Sequence, residues 1–303
     1  MKRYLALQSC SLKLTGLWLM LGTHWLVPGI LVFIAGGALV IVHMLLPRAQ
    51  GLCDVVTGFH ADGKAVWLTI DDGPDPEDTP KILDLLEASR ARATFFLIGS
   101  RARRHPELVR RILERGHSVG SHTETHPLWN FWLAGPGRVR RELGDSVKAL
   151  KQAGAEVRYF RSPVGIKSLF LKGCLREFGL RCVAWTIRSG DGFSGNRQAV
   201  VGRVLRQVRP GAIILMHEGP HVAGPVRVKA LADVLEALAG RGYRCVLPSP
   251  DTFLYGSGRL PSRRADQPDP GDEAVIPVGP ANIAEQRIAP AQGEVQPGIA
   301  GDN

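Results

Sequence analysis

Between Lys64 and Leu254 the chain alternates short apolar runs with amphipathic segments. The runs over 65–71, 93–98, 117–120, 157–160, 182–187, 212–216 and 243–247 read as strands. Segments 79–90, 101–115, 137–153, 168–178, 197–208 and 226–240 carry apolar residues at helical spacing. Asp78 is placed to cap the helix beginning at 79, and Pro80 fits its first turn. Gly116, Gly179 and Gly242 fall just past helix ends, where a left-handed residue terminates the turn. Seven strands alternating with helices predict an α/β fold with a mainly parallel sheet, closing as a distorted (β/α) barrel. In such a fold the chemistry collects at the C-terminal ends of the strands. Asp71, Asp72, His122, Arg161 and His217 all stand at or just after such an end.

The two ends of the chain break this pattern. Residues 14–47 are almost uncharged, and the apolar stretch from 17 to 46 exceeds the roughly 20 residues that cross a bilayer. It also runs far past the 7–15 or so residues of a signal-peptide core, which argues against a cleaved leader. Pro28-Gly29 divides it, so it is expected either as one kinked span or as a hairpin of two short ones. Lys2, Arg3 and Lys13 precede it and place the N-terminus in the cytoplasm; the face on which the remainder lies follows from the number of crossings. Residues 1–50 are thus expected as an anchor in a bacterial-type inner or plasma membrane, 51–255 as the catalytic domain, and 256–303, rich in Pro, Gly and Ala, as a disordered tail.

Composition changes this picture little. The formal net charge of +10 suits an anionic membrane surface or a phosphorylated substrate. No basic motif is interleaved with aromatic residues, so nucleic acid is not an expected partner, and no protein partner is inferred. Arg101, Arg103, Arg104, Arg110 and Arg111 read as a solvated helix face. The five cysteines are scattered, odd in number and without CxxC spacing, which excludes a zinc knuckle and a disulfide scaffold. Cys182 and Cys245 lie in apolar runs and read as core residues.

The candidate chemistry begins where the first strand ends. Asp71 and Asp72 are adjacent carboxylates that repel each other, and a bound cation is the usual compensation. His122 and His126 are four residues apart, which on one helical turn places both rings on the same face. One carboxylate with two imidazoles makes a divalent-metal triad with open positions, leaving the other carboxylate to act as a base. Glu124 is expected to face solvent or lie behind the ligands. Glu218 and His221 fit a pocket rim or a plain loop, and Phe131-Trp132 fits a substrate wall or barrel packing.

These residues resemble the motifs of NodB-type polysaccharide deacetylases. Thr69-Ile70-Asp71-Asp72-Gly73-Pro74 resembles their TFDDGP, and the stretch from His122 to His126 their H-[ST]-x-x-H. Arg161-Ser162-Pro163-Val164-Gly165 resembles their R-x-P-x-G, and Leu215-Met216-His217 their L-x-H. The order matches over residues 64–250. The resemblance implies metal-dependent removal of an N-acetyl group from an amino sugar. Asp72, His122 and His126 would hold the metal, Asp71 would be the base and His217 the acid. Arg161 would orient Asp71, while the Val164 N–H and Leu215 would meet the acyl group. Asp191 aligns with the second Asp of W-x-x-D-x-x-D-W, where it would support His217. Arg188 and Gly192 depart from that motif and remove its aromatic wall. The His₂Asp set implies zinc, with cobalt, nickel or manganese as substitutes. The expected partner is an N-acylated glycan (polysaccharide or peptidoglycan) or a lipid-linked sugar. O-acetyl ester hydrolysis, deformylation and a silent glycan-binding module remain open readings.

Overall fold

The computed structural model describes residues 1–22, 25–220 and 226–256. Two helices come first, α1 (Arg3–Gly22) and α2 (Leu26–Leu45). The chain then alternates as β1 (Val55–Phe59), β2 (Ala65–Asp71), α3 (Asp78–Ala88), β3 (Ala93–Leu97), α4 (Gly99–Arg104), α5 (Pro106–Glu114) and β4 (Ser118–Ser121). There follow α6 (Pro136–Gln152), β5 (Tyr159–Phe160), α7 (Leu171–Glu177), β6 (Arg181–Val183), β7 (Ile187–Arg188) and α8 (Arg197–Gln207). The last elements are β8 (Ile213–His217), α9 (Val226–Gly240), β9 (Arg244–Cys245) and β10 (Phe253–Tyr255). The sheet runs β10-β1-β6-β5-β4-β3-β2-β8-β7, with β9 beside β2. It is parallel except for β10 on β1 and, because its path ends on two different strands, it curls without closing.

The α/β expectation holds, with differences of detail. The sheet has ten strands rather than seven. The run over 182–187 splits into β6 and β7, and β1 and β10 are additional. The segment over 101–115 splits into α4 and α5 at His105, because Pro106 opens the second helix. Asp78 does not cap α3. Asp75 accepts from the N–H groups of Glu77 and Asp78 at 3.0 and 2.9 Å, while Asp78 is buried against Arg227 at 2.8 Å. Gly116, Gly179 and Gly242 do take φ of 74, 66 and 74°. All five cysteines are free, and Cys182 and Cys245 are buried.

β2 is the central strand, and its two faces serve two layers. Val66, Leu68 and Ile70 join the large core under the helices. Ala65 and Trp67 face the barrel interior, where Trp67 stacks on Phe253 at 5.3 Å and meets Tyr159 edge-on at 5.4 Å. Thr69 and Asp71 continue that interior row toward the C-terminal mouth. Burial on both faces explains why this strand reads as continuous apolar sequence.

α1 and α2 form an antiparallel pair closed by small residues. Cβ atoms built at Gly16 and Gly29 would each lie within 2.8 Å of the other residue's carbonyl oxygen, and Ser9 Oγ donates to the Gly36 carbonyl at 2.7 Å. The hairpin interrupts the apolar stretch between Gly22 and Leu26, not at Pro28-Gly29. Pro28 sits in the first turn of α2, where its missing N–H costs nothing. α2 is long and apolar enough to cross a membrane, with mean hydropathy 2.3 over its window. The expected tail lies, from residue 257 on, outside the described residues.

Candidate metal and catalytic site

Parallel pairing of β2 with β8 makes Asp71 and His217 register partners, so the first and last site residues meet at one sheet edge. Successive residues of a strand point to opposite faces, yet Asp71 and Asp72 line one cavity of about 500 Å³. The turn is made at Asp72, whose φ is 76°. Asp72 Oδ1 lies 3.4 Å from His122 Nε2 and 3.1 Å from His126 Nε2. The ligand atoms of the three residues fall within 4.8 Å of one another.

The histidines reach this place without a helical turn. Residues 122–126 form a loop in which Thr123 and His126 take φ of 67 and 55°. Glu142 of α6 holds the loop. One carboxylate oxygen accepts from the N–H groups of Glu124 and Thr125 at 3.0 and 2.9 Å, the other from Thr125 Oγ1 at 2.6 Å. His122 Nδ1–H donates to the Arg161 carbonyl at 2.8 Å, which leaves Nε2 as a bare acceptor toward the cavity. Asp72 Oδ1, also an acceptor, is buried and has no hydrogen-bond partner among the described residues. Two acceptors facing each other out of water is unfavourable without a cation, so this donor set fits a divalent metal.

Arg161 crosses the barrel interior completely buried. Its Nη1 donates to Asp71 Oδ1 at 2.6 Å and to Thr69 Oγ1 at 2.8 Å, and the rest of the fork donates to the carbonyls of Val183 and Ala184. The guanidinium lies 4.1 Å from the centre of the Phe96 ring. On the other side, His217 Nδ1 meets Asp191 Oδ1 at 2.8 Å. Burial would lower the His217 pKa, but the Asp191 charge and hydrogen bond, with Asp71 and Asp72 beyond, raise it to about 9. Leu215 and Val164 line the same cavity. Val164 sits in a single 3-10 turn at φ 47°, a strained conformation for a β-branched residue.

Among the neighbours, Arg101 and Arg104 differ from expectation, while Glu124, Glu218 and Phe131 each take one of the two readings left open. Arg101 is not merely a solvated face: it donates to the Asp72 carbonyl at 2.7 Å, and Arg101 and Arg104 both line the cavity. Glu124 is turned from solvent and pairs with Arg103. Glu218 is fully buried, receives the Thr79 hydroxyl, and is pushed by burial up to about 8; it supports the turn at Gly73 rather than a rim. His221 lies outside the described residues. Phe131 is core, and Trp132 packs against Leu5, Met44 and Leu52 of the N-terminal region. The aromatic wall comes instead from Trp129, Trp185 and Phe193. Phe193 follows Gly192 directly and lies under the Arg188 guanidinium at 4.6 Å, so a one-residue offset hid it from the motif.

Residues 60–183 match the family model described as polysaccharide deacetylase. A chitooligosaccharide deacetylase of Sinorhizobium fredii is 38% identical, over 59% of this chain and 87% of its own. A peptidoglycan-N-acetylglucosamine deacetylase of Bacillus cereus is 34% identical, over 61% of this chain and 87% of its own. Among solved structures, a family 4 carbohydrate esterase from Streptomyces lividans in complex with acetate is 31% identical, with a TM-score of 0.57 over 66% of this chain and 97% of its own.

Proposed function

Because the chain belongs to the polysaccharide deacetylase family, we propose that it is a metal-dependent hydrolase that removes the N-acetyl group from an amino-sugar glycan. The observation that carries this reading is the buried, partnerless Asp72 Oδ1 set against two imidazoles. Asp72, His122 and His126 hold the cation, and zinc suits two imidazoles and one carboxylate, as cobalt, nickel and manganese do less selectively. When bound, the cation supplies Lewis-acid polarisation of the acyl oxygen and acidifies water. Asp71 is the base: Arg161 occupies its Oδ1, which leaves Oδ2 to take the proton from the attacking water. His217, held through Nδ1 by Asp191, delivers a proton from Nε2 to the departing amine. The Val164 N–H polarises the acyl oxygen, and Leu215 bounds the acyl end of the cavity.

Residues 1–50 serve as a membrane anchor for the catalytic domain of 51–255. Only 11% of the apolar window of α2 is buried, unlike a core helix. Cleavage as a leader would strip the Lys167 ammonium of its acceptors, the carbonyls of Leu46 and Pro47. α1, less apolar, is carried by its small-residue seam with α2. Lys2 pairs with Asp54 at 2.6 Å, which ties the N-terminus to the domain and puts both on one face. Lys2, Arg3 and Arg48 flank that face, and the sequence between Gly22 and Leu26 carries no Lys or Arg, which favours the cytoplasmic side of an inner membrane.

The test is product analysis with the metal-loaded full chain in detergent. Acetate and free amine from acetylated chitooligosaccharides, lost on chelation and reduced 10²–10⁴-fold in Asp71→Asn, are expected. Acetate with a free hydroxyl, or formate, would make it an esterase or deformylase. Metal binding without turnover of any of these substrates would make it a binding module.

A further inference from the structure

The end of the N-terminal hairpin is built into the wall of the active site. Lys167, 1% exposed, donates its N–H to the Met44 carbonyl at 2.9 Å and its ammonium to the Pro47 carbonyl at 3.0 Å, closing the C-terminus of α2. A Cβ at Gly165, one residue beyond Val164, would lie 2.4 Å from Pro47 and 2.9 Å from Trp185. The chain leaving α2 therefore packs directly on the turn that carries Val164.

Residues 46–49 also form one side of a second cavity, of about 770 Å³. Its other side includes Trp185, Arg188, Phe193 and Arg203, and the first three of these also line the cavity of Asp72 and His217. The two spaces thus adjoin across a shared wall. Among the described residues, three arginines, Arg48, Arg188 and Arg203, line the second cavity and no carboxylate does. Arg203 donates to the Ser189 carbonyl at 2.9 Å, Arg188 rests on Phe193, and none of the three has a carboxylate partner among the described residues. Unpaired guanidinium groups around a concave space select a phosphate. If α2 crosses a bilayer, residues 46–49 stand at its surface, where headgroup phosphates lie.

We propose that the substrate is an N-acyl amino sugar joined through phosphate to a membrane lipid, its phosphate held by Arg48, Arg188 and Arg203, its sugar at the metal site and its chain in the bilayer beside α2. This assignment rests on the N-deacetylase reading above and narrows its substrate.

The test uses the metal-loaded full chain in nanodiscs of zwitterionic lipid, with three acetyl-labelled substrates: polyprenyl-phosphate-linked N-acetylglucosamine, N-acetylglucosamine 1-phosphate and chitotetraose. The lipid-borne phosphate is expected to give kcat/KM at least tenfold above the other two. Arg48→Ala with Arg203→Ala should raise its KM about tenfold with kcat within twofold, and the corresponding lysine pair should recover part of that loss. Equal turnover of the soluble sugar phosphate overturns the lipid half of the proposal. Acetate from chitotetraose alone, or a KM untouched by the double variant, overturns the whole of it while leaving deacetylation in place. No acetate from any substrate overturns the deacetylase reading itself and this assignment with it.

Discussion

Asp191 grips His217 with both carboxylate oxygens: Oδ1 faces ring Nδ1 at 2.8 Å, and Oδ2 accepts from the backbone N–H of the same residue at 2.7 Å. Ser189 Oγ and the Gly192 N–H also donate to Oδ1, so the carboxylate is fixed before it meets the ring. Sequence places these residues 26 apart, on a loop and a strand end. The contact sets both the orientation of the imidazole and its proton affinity.

The sign of the resulting pH dependence follows from the raised pKa. With His217 as the proton donor proposed above, a pKa near 9 keeps it charged through neutrality, so kcat should hold until about pH 9 and fall above it. Asp191→Asn removes the charge that raises it, and the alkaline limb should move down toward the ordinary histidine value of about 6.5. A pH–rate profile of both proteins decides this; an unmoved limb would contradict the role of Asp191.

Metal removal should be visible without turnover. Dialysis against a chelator should lower the melting temperature of the protein. Returning zinc at about 100 times its Kd should restore roughly 2.7 kcal/mol. Asp72→Asn and His126→Gln should bind no stoichiometric metal by elemental analysis. Full occupancy in either variant would show that the cation sits elsewhere.

We propose Glu142 as a positioning residue for the loop of His122 and His126: it is buried on α6 and joined to residues 124 and 125 by three hydrogen bonds. Glu142→Ala leaves two backbone N–H groups without their acceptor, at a cost of about 1–3 kcal/mol. Freed, the loop should bind metal roughly 10–100-fold more weakly. Titration with zinc separates this from simple destabilisation, because a purely structural role would lower the melting temperature and leave the affinity of the folded protein unchanged.

Arg161→Met should be the most damaging single change at the site. It leaves the buried Asp71 carboxylate without its cation, which costs about 3–5 kcal/mol. Arg161→Lys should rescue little, since one ammonium cannot reach Asp71, Thr69 and the carbonyls of Val183 and Ala184 together. Chemical denaturation of the three proteins measures this, and near-equal stability of the lysine variant would refute the requirement for a fork.

Local pattern in the chain determined the α/β alternation, the central strand from Ala65 to Asp71, the helix ends at Gly116, Gly179 and Gly242, and the carboxylate and imidazole residues gathered at the site. Each of these is written in neighbouring residues: periodicity records which side of an element is buried, and a motif records donor types at short spacing. Tertiary structure alone decided the rest. It put His122 and His126 together through positive-φ residues rather than a helical turn, and brought Arg101 to the Asp72 carbonyl. It supplied Trp129 and Phe193 where the motif had lost its wall, and set Pro47 against Gly165. The short β1 and β10 also belong here, for they exist as strands through pairing across nearly 200 residues. Such contacts arise when a parallel sheet aligns distant strand ends at one edge. Their energy lies in packing and hydrogen bonds between segments that carry no mark of one another in sequence.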